Sequence, residues 1–295
     1  MTLATLVNAL TVAGLVAVML SMGLKVRFGE VTASVRNVRL VLLSVVANFV
    51  LVPLATIGVL SLFDANPMVS VGFLILAVCP GAPVGPPFAA IARGDVPSAI
   101  GQMVVLAGLS ALLSPALLGM LLGRLLSASE LQIDYLAIVR TLLMAQILPL
   151  AVGLAIHHRL PKLAERAAKP IGLVANLLLV VVVVMLLMKE YETLALIRLR
   201  GWSGMVLLLA ASLAIGWVCG GPGRPTRKAL AVTTGAHNAA VALVIVSKNF
   251  ADTPAVTAVI AYALLSILGT LACAFLFATV SDDETTSQLQ RGSTT

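Results

Sequence analysis

The stretch Cys79-Pro80-Gly81-Ala82-Pro83-Val84-Gly85-Pro86-Pro87 places four prolines within nine residues, in the middle of a long apolar segment. Proline has no amide proton and its ring collides with the preceding turn, so an α-helix cannot continue through this stretch. Residues 69–78 before it and 88–92 after it have the composition of a membrane helix. Lipid offers no partners for the backbone groups that such a break frees. We therefore expect the break inside protein or beside a watery cavity, an arrangement that transporters use for substrate sites near the middle of the bilayer.

The composition is that of an integral membrane protein. Of the 295 residues, 60% are hydrophobic and 11% are charged, and the mean hydropathy is +1.09, values far outside the soluble range. One crossing takes about 20 apolar residues, so the chain is predicted to be an all-α polytopic membrane protein with no separate soluble domain. About nine spans are expected, at approximately 2–24, 39–63, 68–92, 97–123, 133–157, 168–188, 202–220, 229–248 and 255–279.

The basic residues predict the orientation of the chain. Loops rich in lysine and arginine face the cytoplasm. One set of loops carries 13 of these residues and the other carries five, with Arg140 inside a span. We therefore expect an extracytoplasmic amino terminus and a cytoplasmic carboxyl terminus in the plasma (inner) membrane, with a polar cytoplasmic tail at 280–295 that lacks fixed structure. The basic loop at 189–201 falls on the outer side and runs against the rule.

A second polar cluster interrupts the eighth span, at Thr233-Thr234-Gly235-Ala236-His237-Asn238. It has the same relative place as the break in the third span, because each is followed by a short connection and one last apolar span. Transporters are often built from two inverted repeats. We therefore predict a first repeat of four spans at 1–123 and a second repeat of five spans at 124–279, each containing one broken helix.

Four short motifs follow one another along the chain: Met22-Gly23-Leu24, Cys79-Pro80-Gly81, Ala92-Arg93-Gly94-Asp95-Val96, and Thr234-Gly235 with Asn238. In this order and spacing they resemble the bile acid/sodium symporter family in its nine-helix form. The resemblance implies a core domain whose two broken helices cross near the membrane centre, and a panel domain that moves against it. It also implies transport of bile acids or other organic anions, usually with sodium.

The chain departs from this family where sodium is expected to bind. The family has a Ser-Asn pair where Gly85-Pro86 stand, and a glutamate and a glutamine where Thr233 and His237 stand. A dehydrated cation needs several oxygen ligands, which are largely missing here. No metal centre or cofactor is expected beyond the coupling ion, which we leave open between sodium and a proton carried by His237. The side chains left for a sodium site are Asn48, Gln102, Thr233, Thr234 and Asn238.

The first break is the candidate substrate site. The amides of Val84 and Gly85, and the positive end of a half-helix that begins near Pro87, suit an anionic group. Asn238 at the second break is a further candidate, and either ligand contact or helix-to-helix hydrogen bonding would satisfy its amide. The predicted substrate contacts are thus Pro83, Val84, Gly85, Pro86 and Asn238.

The favoured function is secondary active transport of a small organic anion, such as a bile-acid-like molecule or a keto acid. A transport-inactive receptor of the same fold and a sodium-independent exchanger or channel are the alternatives. An enzyme is not expected, because no span carries paired acids and the one deep histidine lacks metal co-ligands. The expected partners are the anion and the lipid bilayer, and no nucleic acid, because topology explains the basic residues. The identity of the anion and the oligomeric state are left open.

Overall fold

The computed structural model describes residues 3–125 and 135–292, and within them every regular element is a helix. Residues 1–2, 126–134 and 293–295 lie outside the described residues. The division into two inverted repeats, 1–123 and 124–279, stays a prediction.

Fourteen α-helices follow one another in the described residues. The first seven are α1 (Leu3–Lys25), α2 (Phe28–Arg36), α3 (Val38–Val46), α4 (Val52–Leu62), α5 (Pro67–Ala77), α6 (Gly85–Ile91) and α7 (Val96–Leu125). The others are α8 (Tyr135–Leu142), α9 (Leu148–Arg159), α10 (Pro161–Ala195), α11 (Leu199–Cys219), α12 (Arg224–Gly235), α13 (Ala239–Asn249) and α14 (Pro254–Gly292). Five-residue π-helical segments, Ala47–Leu51 and Leu143–Ile147, join α3 to α4 and α8 to α9.

Most of the nine expected crossings correspond to long apolar helices. Eight segments in the described residues are long and apolar enough to cross a membrane, by length and composition. The expected third span corresponds to the interrupted pair α5 and α6, in which α5 is an apolar helix of 11 residues, shorter than the eight long segments. The prediction of an all-α polytopic membrane protein is confirmed. One expectation is wrong: α14 continues through the polar tail as far as Gly292, where we expected no fixed structure.

Helix α1 packs along α9 and α10, and two glycines allow the closest approach. A Cβ atom added at Gly23 would lie 2.3 Å from the Leu150 carbonyl oxygen, and one added at Gly153 would lie 2.6 Å from the Leu20 carbonyl oxygen. The two backbones are thus in direct contact, which small residues permit between membrane helices. We refer to α1, α9 and α10 as the panel. Gly23 is the central residue of the first motif.

The broken pair α12–α13 lies in the middle of the remaining helices. In the most apolar part of Arg224–Asn249, 94% is buried inside the protein. The corresponding share is 50% or less in every other long span described. Helix α12 packs on α6, α7, α11 and α14, while α13 packs on α5, α14 and the panel helix α1. Any group on this pair is therefore enclosed by protein.

The connection between α6 and α7 anchors both broken helices at one end. Arg93 has a φ of 54°, and the Gly94 N–H donates to the Ala89 carbonyl oxygen at 2.8 Å, which forms a left-handed cap at the end of α6. The Asp95 side chain then caps the first turn of α7. The Asp95 N–H donates to the Pro225 carbonyl oxygen at 2.9 Å. This bond ties the end of the first broken helix to the start of α12.

Candidate functional site

The first break lies between α5 and α6, and protein groups bond the carbonyl oxygens that it frees. The Ser114 hydroxyl donates to the Val78 carbonyl oxygen, and the Asn238 N–H donates to the Cys79 carbonyl oxygen at 2.8 Å. Gly81 has a φ of 81°, and its carbonyl oxygen accepts from Asn238 Nδ2 at 3.4 Å. Because hydrocarbon has no donors for such groups, these bonds are what makes the break tolerable at this depth.

The second break separates α12 from α13 at residues 236–238. The Asn238 side chain caps the first turn of α13. His237 is buried, and its Nδ1 lies 3.2 Å from the Gly235 carbonyl oxygen. Its ring centroid lies 5.5 Å from that of Tyr262 on α14. His237 is therefore enclosed between the second break and the aromatic ring of Tyr262.

The two breaks meet, as the family resemblance implied. Asn238 bonds the first break through both its main chain and its side chain. On the other side of the contact, a Cβ atom added at Gly85 would lie 2.8 Å from the Thr233 methyl carbon. The end of α12 and the start of α6 are thus packed without a gap. A side chain in place of Gly85 would have to push the two broken helices apart.

The start of α6 differs from the sequence expectation. The helix begins earlier, at Gly85, and has seven residues. The Gly85 N–H donates to the Ala82 carbonyl oxygen at 3.0 Å, so it is not free for an anion as we expected. The Val84 N–H forms no hydrogen bond to another described group. The predicted contacts also differ in exposure: Pro83 and Val84 are half-buried, whereas Gly85 and Pro86 are buried.

The candidate ion ligands form two polar pairs along α12. Asn48 Nδ2 donates to Thr234 Oγ1 at 3.2 Å, and Thr233 Oγ1 lies 3.4 Å from Gln102 Oε1. Asn48 belongs to the π-helical segment between α3 and α4, a type of distortion that is frequent at functional sites. Gln102 Nε2 is buried without a partner among the described groups. Asn238 is the fifth candidate, and it bonds the first break instead.

Gln146 is a buried polar residue that the sequence analysis missed. It lies in the π-helical segment between α8 and α9. Its Nε2 donates to Ser110 Oγ at 2.8 Å and to the Ala107 carbonyl oxygen, while its Oε1 has no partner among the described groups. The sequence did contain an indication: Gln146 is an amide side chain inside the apolar run 143–149, three residues before Pro149. Gln146 connects the fifth span to α7, the helix that also supports the first break.

A second missed group lies on α14 behind His237. Tyr262, Ser266 and Thr270 are all buried, and the hydroxyls of Tyr262 and Thr270 have no well-aligned partner among the described groups. A Cβ atom added at Gly235 would lie 2.9 Å from Thr270 Oγ1, so this stripe faces the second break. The signal in the sequence was the four-residue spacing, which places these side chains on one helix face.

Comparison with known protein families identifies a match over much of the chain. A family model described as the Sodium Bile acid symporter family matches residues 12–195, more than half of the chain. The matched range includes the first three motifs and the first break. The polar cluster of the second break lies beyond it.

Three curated relatives are similar over part or most of their length. "Uncharacterized sodium-dependent transporter YocS" of Bacillus subtilis (strain 168) is 22% identical over 247 residues, 82% of this chain and 75% of the relative. "Sodium/bile acid cotransporter 5" of Rattus norvegicus is 31% identical over 143 residues, 46% of this chain and 32% of the relative. "Probable sodium/metabolite cotransporter BASS2, chloroplastic" of Oryza sativa subsp. japonica is 22% identical over 245 residues, 81% of this chain and 57% of the relative. The matches thus span less than two thirds of the rat and rice proteins.

Proposed function

The chain belongs to the sodium bile acid symporter family, as its motifs predicted, and from this we propose that it is a secondary active transporter of a small organic anion. The observation that carries the proposal is the 2.8 Å hydrogen bond from the Asn238 N–H to the Cys79 carbonyl oxygen, which joins the tips of two broken helices. Broken helices of transporters typically form the substrate site where they meet. In our proposal the protein lies in the plasma or inner membrane with its amino terminus outside the cytoplasm.

The proposed transport step is a movement of the panel against the remaining helices. The panel is held together by the backbone contact at Gly23 and Gly153, and the two broken helices are held together through Asn238. Two groups of helices that are each internally tied suit the rocking of one against the other around a fixed site. The proposed substrate contacts all belong to the two breaks: Pro83, Val84, Gly85, Pro86 and Asn238.

For the coupling ion we propose a proton carried by His237. No aspartate or glutamate is buried among the side chains that the structure describes, so a sodium ion would have to be held by neutral oxygens alone. A protonated His237 would place one positive charge beside the second break, where it would attract the anion. The alternative is an uncharged sodium site built from Asn48, Gln102, Thr233, Thr234 and Asn238.

Uptake into proteoliposomes tests the proposed function. Organic anions that raise the thermal stability of the purified protein are selected and offered to vesicles in radiolabelled form. We expect saturable uptake that is stimulated by unlabelled anion inside the vesicles, and no uptake by protein-free vesicles. Flux that does not saturate would indicate a channel, and binding without flux would indicate a receptor. Either result would contradict a carrier.

A cysteine at Val84 tests whether the first break contacts the substrate. In a chain whose three native cysteines have been replaced, Val84→Cys is expected to react with a hydrophilic thiol reagent, and bound anion is expected to slow this reaction about tenfold or more. Val84 suits the test because it is half-buried, whereas a side chain at Gly85 would collide with Thr233. Ala89→Cys on the same helix is the control, since Ala89 is fully buried. Equal rates of thiol reaction at the two positions, with or without anion, would mean that the first break has a packing role and does not contact the substrate.

A further inference from the structure

A cavity of about 500 Å³, whose lining includes no residue of either break, lies between the end of α4, α5, residues 193–201, α11 and the start of α14. Its volume is within the range of pockets that hold small molecules. Its walls are mainly apolar, so they suit a hydrophobic body. The wall residues that define it are Val59, Leu60, Phe63, Phe73, Met205 and Leu208.

Two arginines line the mouth of this cavity. Arg198 and Arg200 are exposed, and neither guanidinium forms an ion pair among the residues that the structure describes. The one carboxylate among the lining residues is Asp64, which leaves a net charge of about +1 on the lining. Two further acidic groups are bonded to other residues: Asp252 pairs with Lys189, and Glu190 accepts from the Thr257 hydroxyl at 2.7 Å and keeps its charge.

These arginines lie on the side of the chain that has fewer basic residues. Arg198 and Arg200 belong to the basic loop on the side that carries five basic residues against 13. Basic residues are disfavoured in short extracytoplasmic loops, so topology does not account for them. A role in attracting an anion does, because a guanidinium binds carboxylates and sulfonates through paired N–H donors.

The inner end of the cavity is close to the second break. Phe73 is part of the wall, and its ring centroid lies 5.3 Å from that of Tyr262. The Tyr262 ring lies in turn 5.5 Å from the His237 ring. A chain of ring contacts, from Phe73 to Tyr262 to His237, therefore connects the cavity wall to the histidine.

We propose that this cavity captures amphipathic organic monoanions from the extracytoplasmic side before they reach the breaks. The anionic group binds at Arg198 and Arg200, and the apolar body lies against the hydrophobic walls. Rotation of the Phe73–Tyr262 pair then opens the way to the second break. The inference rests on the proposed transport function for its purpose, but the binding step can be tested without any transport.

Equilibrium binding of cholate to the purified protein in detergent tests the capture site. Arg198→Gln and Arg200→Gln are each expected to weaken cholate binding about three- to tenfold, and the double variant more. Asp64→Asn is expected to strengthen it about two- to threefold, because one repulsive charge is removed. Asparagine also tolerates the positive φ of 47° at this position. Lys248→Gln is the matched control, since Lys248 lies on the same side, bonds Thr141 and does not line the cavity.

A change in the ligand tests separately whether binding requires the negative charge of cholate. The methyl ester of cholate keeps the apolar body and loses the charge, so its affinity is expected to be unaffected by the arginine variants. Equal losses for cholate and its ester would overturn the proposed role of the guanidinium groups. Unchanged cholate binding in both arginine variants, or no cholate binding by the wild-type protein, would overturn the capture site.

Chemical restoration of the positive charge at position 200 tests from which side of the membrane the cavity is reached. Arg200→Cys, in the chain without native cysteines, is treated in intact cells with a membrane-impermeant trimethylammonium thiol reagent, and the protein is then purified. Cholate binding is expected to recover, whereas a sulfonate reagent of similar size is expected to weaken it further. Modification that occurs only from the cytoplasmic side would overturn the placement of the cavity. Intact cholate binding in a protein that gives no uptake would instead refute the proposed function and leave the capture site standing.

Discussion

Replacing Gly81 by alanine is expected to destabilise the protein by about 3–5 kcal/mol and to abolish uptake. Two effects add at this position. The φ of 81° is strained for any residue with a side chain. The new Cβ atom would also lie 2.5 Å from the Ala107 nitrogen and 2.9 Å from the Ala107 Cα, both in the backbone of α7. Because backbone atoms cannot rotate away, the first break would have to move and would lose its bond to Asn238.

Gly108→Ala is the matched control for this prediction. Gly108 is the neighbour of Ala107 on the same helix, and a Cβ atom added there meets nothing within 4 Å. Alanine in place of a helical glycine is expected to leave the melting temperature unchanged or to raise the stability by about 0.5–1 kcal/mol. The measurements are thermal unfolding in detergent, the yield of monodisperse protein and uptake. A Gly81→Ala protein with wild-type melting and uptake would show that the backbone at the first break is not constrained as described.

Replacing His237 by glutamine is expected to remove the pH dependence of transport. In the wild-type protein, uptake is expected to rise about tenfold as the external pH falls from about 7.5 to about 5.5, because the protonated fraction of the imidazole grows. The imidazolium and the bound anion attract each other in an enclosed site, so each favours the binding of the other. Glutamine is neutral at every pH in this range and cannot carry the proton. Uptake by the variant is expected to be low and nearly independent of pH, with little response when sodium is replaced by potassium.

His157→Gln provides the control for the titration. The Nδ1 of His157 lies 2.6 Å from the Leu24 carbonyl oxygen near the end of α9, away from both breaks, so its replacement is expected to leave the pH profile unchanged. The proton hypothesis fails if uptake rises steeply with sodium while His237→Gln keeps the wild-type pH profile. An uncharged sodium site around Asn48, Thr233 and Asn238 would then explain the coupling better.

The long apolar segments and the positions of the two breaks could be predicted because they depend on local properties of the chain. Apolar length decides whether a segment can cross a bilayer, and four prolines between 80 and 87 interrupt a helix whatever surrounds them. The motif at 22–24 also pointed to the right family. Its physical role, the backbone contact of Gly23 with α9, could not be read from the sequence, since it depends on a helix more than a hundred residues later.

The partners of the polar groups are decided only by the tertiary structure. Asn238 bonds the first break across 157 positions of the chain, and Asn48 meets Thr234 across 186, distances at which no sequence pattern specifies a pair. The same holds for Gln146, and for the cavity at Arg198, which is formed by segments from three parts of the chain. The small polar cluster at 233–238 indicated the second break, which contains no proline. The first break follows from the sequence alone, because proline cannot form the hydrogen bonds of a helix. Which groups compensate those lost bonds depends on how the helices pack, because each compensating bond joins helices distant along the chain.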